Sequence, residues 1–249
     1  MRRALFTITA TVTVALTGCS NSSSNPTTAL RPTPASPCQT SSCRIVSKAD
    51  INGDGSLDLV GLAFTPDQTS TPEFPEGTLT VRVSTPDGIQ QTQVAKSSGP
   101  APNNYYVGAF RISRRSGADL VFHTVEGLGN AEQFVVIGWT DGHLIQIPTP
   151  PDPQPVQRDP NIWYFNSSHG QHYWATCGSG AEVTLNKLRA AVEEGIPIPG
   201  GGLRESNHFA FQNGSWTPTG SENVADNTFS YTDFHPDTDT FQCDRQDHQ

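Results

Sequence analysis

Basic residues are scarce in this chain. Fifteen Lys and Arg stand against 24 Asp and Glu, for a formal net charge of −9. Such a balance argues against a nucleic-acid-binding surface and against one that clings to anionic lipid. Apolar residues are also few, at 34% of the chain, while 22 Gly and 20 Pro are plentiful. Together these point to a loop-rich β protein with one modest core rather than to a helical one. The common catalytic signatures are missing: there is no G-x-S-x-G elbow, no Gly-rich phosphate loop and no helical H-E-x-x-H. Ser, His and Asp all occur, but at no spacing that singles out a triad. No C-x-x-C pair is present to hold zinc.

At the N-terminus, Arg2 and Arg3 precede a mostly apolar run from Ala4 to Leu16. That run is shorter than the roughly 20 residues a membrane span needs. Residues 1–18 therefore read as a signal peptide and stand outside any argument about fold. The run ends in Leu16-Thr17-Gly18-Cys19, which resembles the bacterial lipobox. The resemblance implies a lipoprotein cleaved before Cys19, whose thiol carries a diacylglyceryl group with palmitate-type chains. Two chains on one residue give stable anchoring where a single chain binds only marginally. The expected location is the extracytoplasmic face of the cell membrane. Arg2-Arg3 followed by Ala4-Leu5-Phe6 also loosely resembles a twin-arginine signal, so export by that route or by the general one stays open. Residues 19–37, rich in Ser, Thr, Asn and Pro, lack the apolar surface to offset their ordering entropy. They read as a tether reaching on the order of 50 Å at about 3 Å per residue.

Residues 38–249 then form one domain, expected to be a monomer. It holds four cysteines, Cys38, Cys43, Cys177 and Cys243. In an exported protein an even count reads as disulfides, with three connectivities open. Cys38–Cys43, a clasp at the domain entrance, and Cys177–Cys243, which pins the C-terminal tail, are favoured. Closing the long second loop contributes about 4 kcal/mol in the chain-entropy account.

Within the domain a pattern of strand hairpins recurs. Arg44 to Lys96 runs through the strand LDLVGLAF and then TLTVRVSTPDGIQQTQV, and Tyr105 to Pro148 through ADLVFHTV and QFVVIGWTDGHLIQI. Asp58-Leu59-Val60 matches Asp119-Leu120-Val121, and Thr85-Pro86-Asp87-Gly88 matches Trp139-Thr140-Asp141-Gly142. Each Asp-Gly between alternating β-branched runs is a strong hairpin signal. A weaker third copy runs from Ile162 to Thr217 and closes on Asn213-Gly214. The expected fold is thus all-β, with blade-like antiparallel sheets forming a partial or small β-propeller, or alternatively a β-sandwich. One short helix is expected as an insertion over Thr184 to Glu194, where Leu185, Leu188 and Val192 share a helical face and Gly195 supplies a stop. Pro148 to Pro160 reads as a stiff polyproline-type connector. Tyr105, Tyr106, Trp139, Trp163, Tyr164, Trp174 and Trp216 are expected mainly in blade cores, with one or two at a binding face.

The stretch Asp50-Ile51-Asn52-Gly53-Asp54-Gly55-Ser56-Leu57-Asp58 carries the clearest chemistry. Oxygen side chains at positions 1, 3 and 5 curl round a hard cation, Gly55 permits the sharp turn, and Asp58 at position 9 completes the cage. An EF-hand requires a Glu at position 12, where Gly61 stands, and a flanking helix, where LDLVGLAF is strand. The sequence DINGDGSLDLVGLAF instead resembles the FG-GAP (VCBS) repeat, whose D-x-[DN]-x-D-G-x-x-D loop joins two strands of a blade. The resemblance implies side-chain ligands from Asp50, Asn52, Asp54 and Asp58, a backbone ligand from Ser56, and Ca2+ in a structural role. The second repeat keeps Asp119 but carries Ser113, Arg114 and Arg115, and no calcium is expected there.

Other clusters are weaker. His169-Gly170-Gln171-His172 lacks a third ligand, and Asp233, His235, Asp237 and Asp239 read as a solvated acidic tail. The resulting expectation is a membrane-anchored, calcium-stabilised module that binds a protein or glycan of the envelope, rather than an enzyme. An envelope hydrolase or lyase on the same scaffold, with a pocket beside His169 and His172, and a purely structural lipoprotein are the alternatives.

Overall fold

A computed structural model describes residues 33–71, 76–96, 105–114, 116–126, 131–151, 159–166, 170–178, 180–193, 196–226 and 240–248. Cys19, His169, Arg115 and the acidic run holding Asp233, His235, Asp237 and Asp239 lie outside the described residues.

The described chain is all-β and folds as three sheets, antiparallel except where the last strand of the third pairs parallel with its neighbour. β1 (Cys43–Ala49), β2 (Asp58–Pro66), β3 (Gly77–Thr85) and β4 (Gly88–Lys96) form the first, in the order β1-β2-β3-β4. The second is built on β5 (Tyr106–Phe110), β6 (Asp119–Glu126), β7 (Ala131–Thr140) and β8 (His143–Ile147), again in sequence order. A further strand, β9 (Trp163–Asn166), pairs with the part of β7 that β8 leaves free. The third contains β10 (Gln171–Cys177), β11 (Glu182–Glu193), β12 (Ile196–Gln212), β13 (Ser215–Ala225) and β14 (Phe241–Gln242), in the order β13-β12-β11-β10-β14. The third hairpin unit therefore starts at Gln171 rather than Ile162, because Trp163 to Asn166 joins the second sheet.

The alternation of side chains along a strand sets how the sheets stack. One face of the second sheet packs on the first, so Leu120, Phe122, Val135 and Ile137 share a core with Val60, Leu62, Leu79, Val81 and Val94. Its other face packs on the third, where Val121, Phe134, Val136 and Trp163 meet Ala175, Val183, Phe209, Trp216 and Phe241. The middle sheet is thus buried on both sides. That is why β7 reads as the unbroken apolar run FVVI, while β3, buried on one face, reads TLTVRVS with polar residues alternating. Tyr106, Trp163, Trp174 and Trp216 all lie in the interior, as expected of core aromatics.

The helix expected over Thr184 to Glu194 is instead β11. Its Val183 to Arg189 pair with β10, and Val183 to Ala190 pair with β12. Leu185 and Leu188 fit a helical spacing, but an 11-residue helix is marginal by itself in water. Two neighbouring strands offer a complete ladder of backbone hydrogen bonds and outweigh the local preference. Of the stretch expected as a strut, residues 152–158 lie outside the described residues; at its ends the Thr149 N–H donates to the Pro160 carbonyl at 2.7 Å.

The first two sheets repeat each other at a 61-residue offset. Ala49 pairs with Asp58 as Phe110 pairs with Asp119, and the bulge between Ile45 and Ser47 recurs between Tyr106 and Gly108. The turns at Asp141-Gly142 and Asn213-Gly214 have positive φ at both residues, as two-residue hairpins require. The first hairpin turns one residue earlier, at Pro86-Asp87, with Thr85 opposite Gly88. Both favoured disulfides are present, Cys38–Cys43 and Cys177–Cys243. The first lies against β2 at Gly61, where a Cβ would stand 3.1 Å from Cys38 Sγ.

Candidate metal centre

The acidic loop joins β1 to β2, and its own side chains hold it in shape. Asp50 accepts the backbone N–H groups of Gly53 and Asp54 on Oδ1, at 2.8 and 3.1 Å, and that of Gly55 on Oδ2 at 2.9 Å. Asn52 Oδ1 accepts from the Asp54 N–H at 3.0 Å, and Asp54 Oδ1 from the Ser56 N–H at 2.7 Å. This succession of Asx turns needs left-handed backbone at Gly53 and Gly55, with φ of +82° and +84°. At Gly55 the space is open and only the φ matters, whereas Gly53 is also pressed by a neighbouring loop.

Asp58 forms the floor of the loop and is fully buried. Its Oδ2 accepts from the Ile51 and Asn52 N–H groups at 2.9 and 3.2 Å, while Oδ1 has no hydrogen-bond donor. Burial pushes the Asp58 carboxyl up to about 6, against the two N–H bonds, which lower it; the negative charges of Asp54 and Asp50 raise it further. Asp50, Asn52, Asp54, Ser56 and Asp58 all take part in the hydrogen bonds that shape the loop.

Their donor set, three carboxylates with an amide and a backbone carbonyl, suits a hard cation, and the bare Asp58 Oδ1 is an oxygen that such a cation would satisfy. The carboxylates do not form a closed cage here. Asp50 and Asp54 are turned onto the loop's own N–H groups, and among the described residues no three His, Cys, Asp or Glu side chains stand close enough to hold one ion. Calcium in this loop would be held by Asp50, Asn52, Asp54 and Asp58 in competition with those N–H groups.

The matching loop of the second sheet shows what a satisfied floor looks like. Asp119, also fully buried, accepts the Ile112 and Ser113 N–H groups on Oδ2, at 3.3 and 2.6 Å, in the same way that Asp58 accepts from Ile51 and Asn52. Its Oδ1 is covered by the Ser113 hydroxyl at 3.0 Å and by the Arg114 guanidinium, whose Nε lies 3.4 Å away. Burial still holds the Asp119 carboxyl above the usual range, with Arg114 and the hydrogen bonds opposing it. The sequence marks this loop as unfit for calcium, but it does not show that an arginine covers the same carboxylate oxygen.

The two loops also touch. The Ala118 N–H donates to the Asp50 carbonyl at 2.8 Å, and Arg114 Nη2 donates to the Ile51 carbonyl. Gly117, at φ +79°, lies against Gly53; a Cβ there would fall 2.9 Å from the Gly53 nitrogen.

Of the two histidines placed together by sequence, His172 lies buried on β10 with its ring 4.8 Å from that of Trp174. A further site of order missed by the sequence reading is the C-terminus. Asp247 Oδ1 accepts from the Tyr106 hydroxyl at 2.8 Å, the Ala109 N–H at 2.7 Å and the Ser47 hydroxyl at 3.2 Å. Among the described residues no helix is long and apolar enough to cross a membrane. No family model, curated protein or solved structure matches this chain.

Proposed function

We propose that this chain is a lipoprotein, anchored through Cys19 on the extracytoplasmic face of the cell membrane, whose β module is stabilised by calcium in the Asp50–Asp58 loop and binds a protein or glycan of the envelope. The observation that carries the calcium reading is the contrast between two equivalent carboxylates. Asp119 Oδ1 accepts the Ser113 hydroxyl and is paired with the Arg114 guanidinium, and Asp58 Oδ1, equally buried, accepts no hydrogen bond. A buried carboxylate without a partner is costly, and a cation is the partner its surroundings supply ligands for. Extracellular sites of this kind work at weak, even millimolar, affinity. The anchor and tether give the module its place, and the stacked sheets give it surface; the step to a binding partner rests on architecture.

The test is thermal melting of the purified protein in calcium and in EGTA, beside Asp54→Ala. Calcium raises the melting temperature of the wild type, and the variant loses that rise. Equal melting of the wild type in both buffers makes the loop a metal-free acidic turn.

A further inference from the structure

The acidic loop and its counterpart are related by more than their floors. At the 61-residue offset Asp50, Gly53 and Asp54 of the first loop correspond to Arg111, Arg114 and Arg115 of the second. The second loop thus reverses the charge of the first at two positions, adds Arg114 where the first has glycine and keeps the floor aspartate, and the two loops are packed together through Gly53 and Gly117.

Arg114, in the place of Gly53, is the added charge that stands at the junction. Its Nη1 donates to the Trp139 carbonyl at 2.9 Å and its Nη2 to the Ala118 carbonyl at 2.9 Å and to the Ile51 carbonyl, while Nε faces Asp119. One guanidinium thus gathers a carboxylate and three backbone carbonyls, the ligand types a hard cation takes. Its planar fork reaches oxygens in several directions, which an ammonium group does not match. The first loop cannot answer in kind. Its equivalent position is Gly53, whose backbone is left-handed and whose Cβ would meet Ser116 Oγ at 3.0 Å, so a side chain there would be strained and crowded, and the residue present has none to cover Asp58.

We infer that Arg114 is a resident cation of the paired loops: it fills in the second loop the place left for a metal in the first, and through Ile51 it couples metal binding at the first loop to the joint between the first two sheets. The metal half of this inference rests on the calcium reading above; the joint does not. The coupling follows from position. Ile51 lies next to Asp50 and its N–H is bonded to Asp58, so a guanidinium fixing the Ile51 carbonyl fixes the backbone that carries Asp50 and donates to the Asp58 carboxylate. The Ala118 N–H, bonded to the Asp50 carbonyl, reports on the same joint from the other side. Linkage makes the effect reciprocal: what Arg114 adds to calcium affinity, calcium adds to the stability of the joint.

The experiment compares wild type, Arg114→Met and Arg114→Lys by titration calorimetry with calcium chloride and by hydrogen exchange at the Ala118 amide in calcium and in EGTA. Calcium slows Ala118 exchange in the wild type. Arg114→Met weakens calcium binding by about tenfold, within the usual range for coupled sites, and speeds Ala118 exchange even in EGTA. Arg114→Lys, which keeps the charge and loses the fork, falls between; it also carries the test if the Met variant does not fold. If both variants bind calcium like the wild type and protect Ala118 equally, the inference is overturned. A wild type that binds no calcium defeats the calcium reading and the metal half of the inference. The exchange measured in EGTA then decides the joint by itself: faster exchange in the variants upholds it, and unchanged exchange removes it.

Discussion

Asp58 and Asp119 are the same residue type, equally buried, at the head of equivalent strands, and their difference lies in what meets one oxygen. With calcium absent, the raised Asp58 carboxyl has a definite consequence for stability. Its folded value, about 6, stands above the ordinary 3.8. The folded state therefore holds its proton more tightly, and this group's contribution is full below its ordinary value and is lost as pH rises through about 6. In metal-free buffer the wild type should lose stability relative to Asp58→Asn between about pH 4 and about pH 6.5. A difference in melting temperature that stays flat across that window contradicts the assignment. The oxygen side chains of the acidic loop were legible in sequence because all of them lie within nine consecutive residues. The role of Arg114 was not, since it depends on Ile51 and Trp139, residues 63 and 25 positions away, being brought to the same point. Asp247 was hidden for the same reason: it sits 138 residues from Ala109, and nothing in its own segment marks it as a partner of the second sheet.

At the scale of elements, hairpins were readable wherever turn chemistry and alternation agreed. Asp141-Gly142 and Asn213-Gly214 supply positive φ at both turn positions, and the strands follow on either side. β11 was misread because Leu185 and Leu188, three residues apart, fit a helical face and break a strand's alternation, and only the pairing with β10 and β12 overrules that local signal. The glycine that closes the apolar run of β7 shows how tightly the middle sheet is built. A Cβ on Gly138 would stand 2.7 Å from Asp119 Oδ1 and 2.7 Å from Ile147 Cδ1, atoms packed between two layers. Gly138→Ala should therefore destabilise the fold by about 2 kcal/mol, in the range seen for overpacked cores. Urea unfolding measures this directly, and a variant as stable as the wild type would show that the layers yield.

Across the whole molecule, three sheets are stacked face to face, and the end of the chain stitches them together. The Cys177–Cys243 disulfide ties the tail to the third sheet. Beyond it, the Arg111 N–H donates to the Asp244 carbonyl and the Gln246 N–H to the Ala109 carbonyl on the second sheet, and the His248 N–H donates to the Lys48 carbonyl on the first. Asp247 anchors the crossing. Asp247→Ala removes the oxygen that the Ala109 N–H and the Tyr106 and Ser47 hydroxyls share and should cost about 3 kcal/mol. Replacing the disulfide by serines should cost about 4 kcal/mol. Because both hold the same tail, the double variant should lose measurably less than the two single losses combined; simple additivity in denaturant melts would show the two contacts to be independent.

The central claim is that the first loop takes the cation which Arg114 replaces in the second. Titration of the metal-free protein with calcium, followed by calorimetry, tests it most directly. One saturable site per chain, abolished by Asp54→Ala, is the predicted result; no saturable heat up to about 10 mM calcium, beyond the weakest extracellular sites, would contradict it.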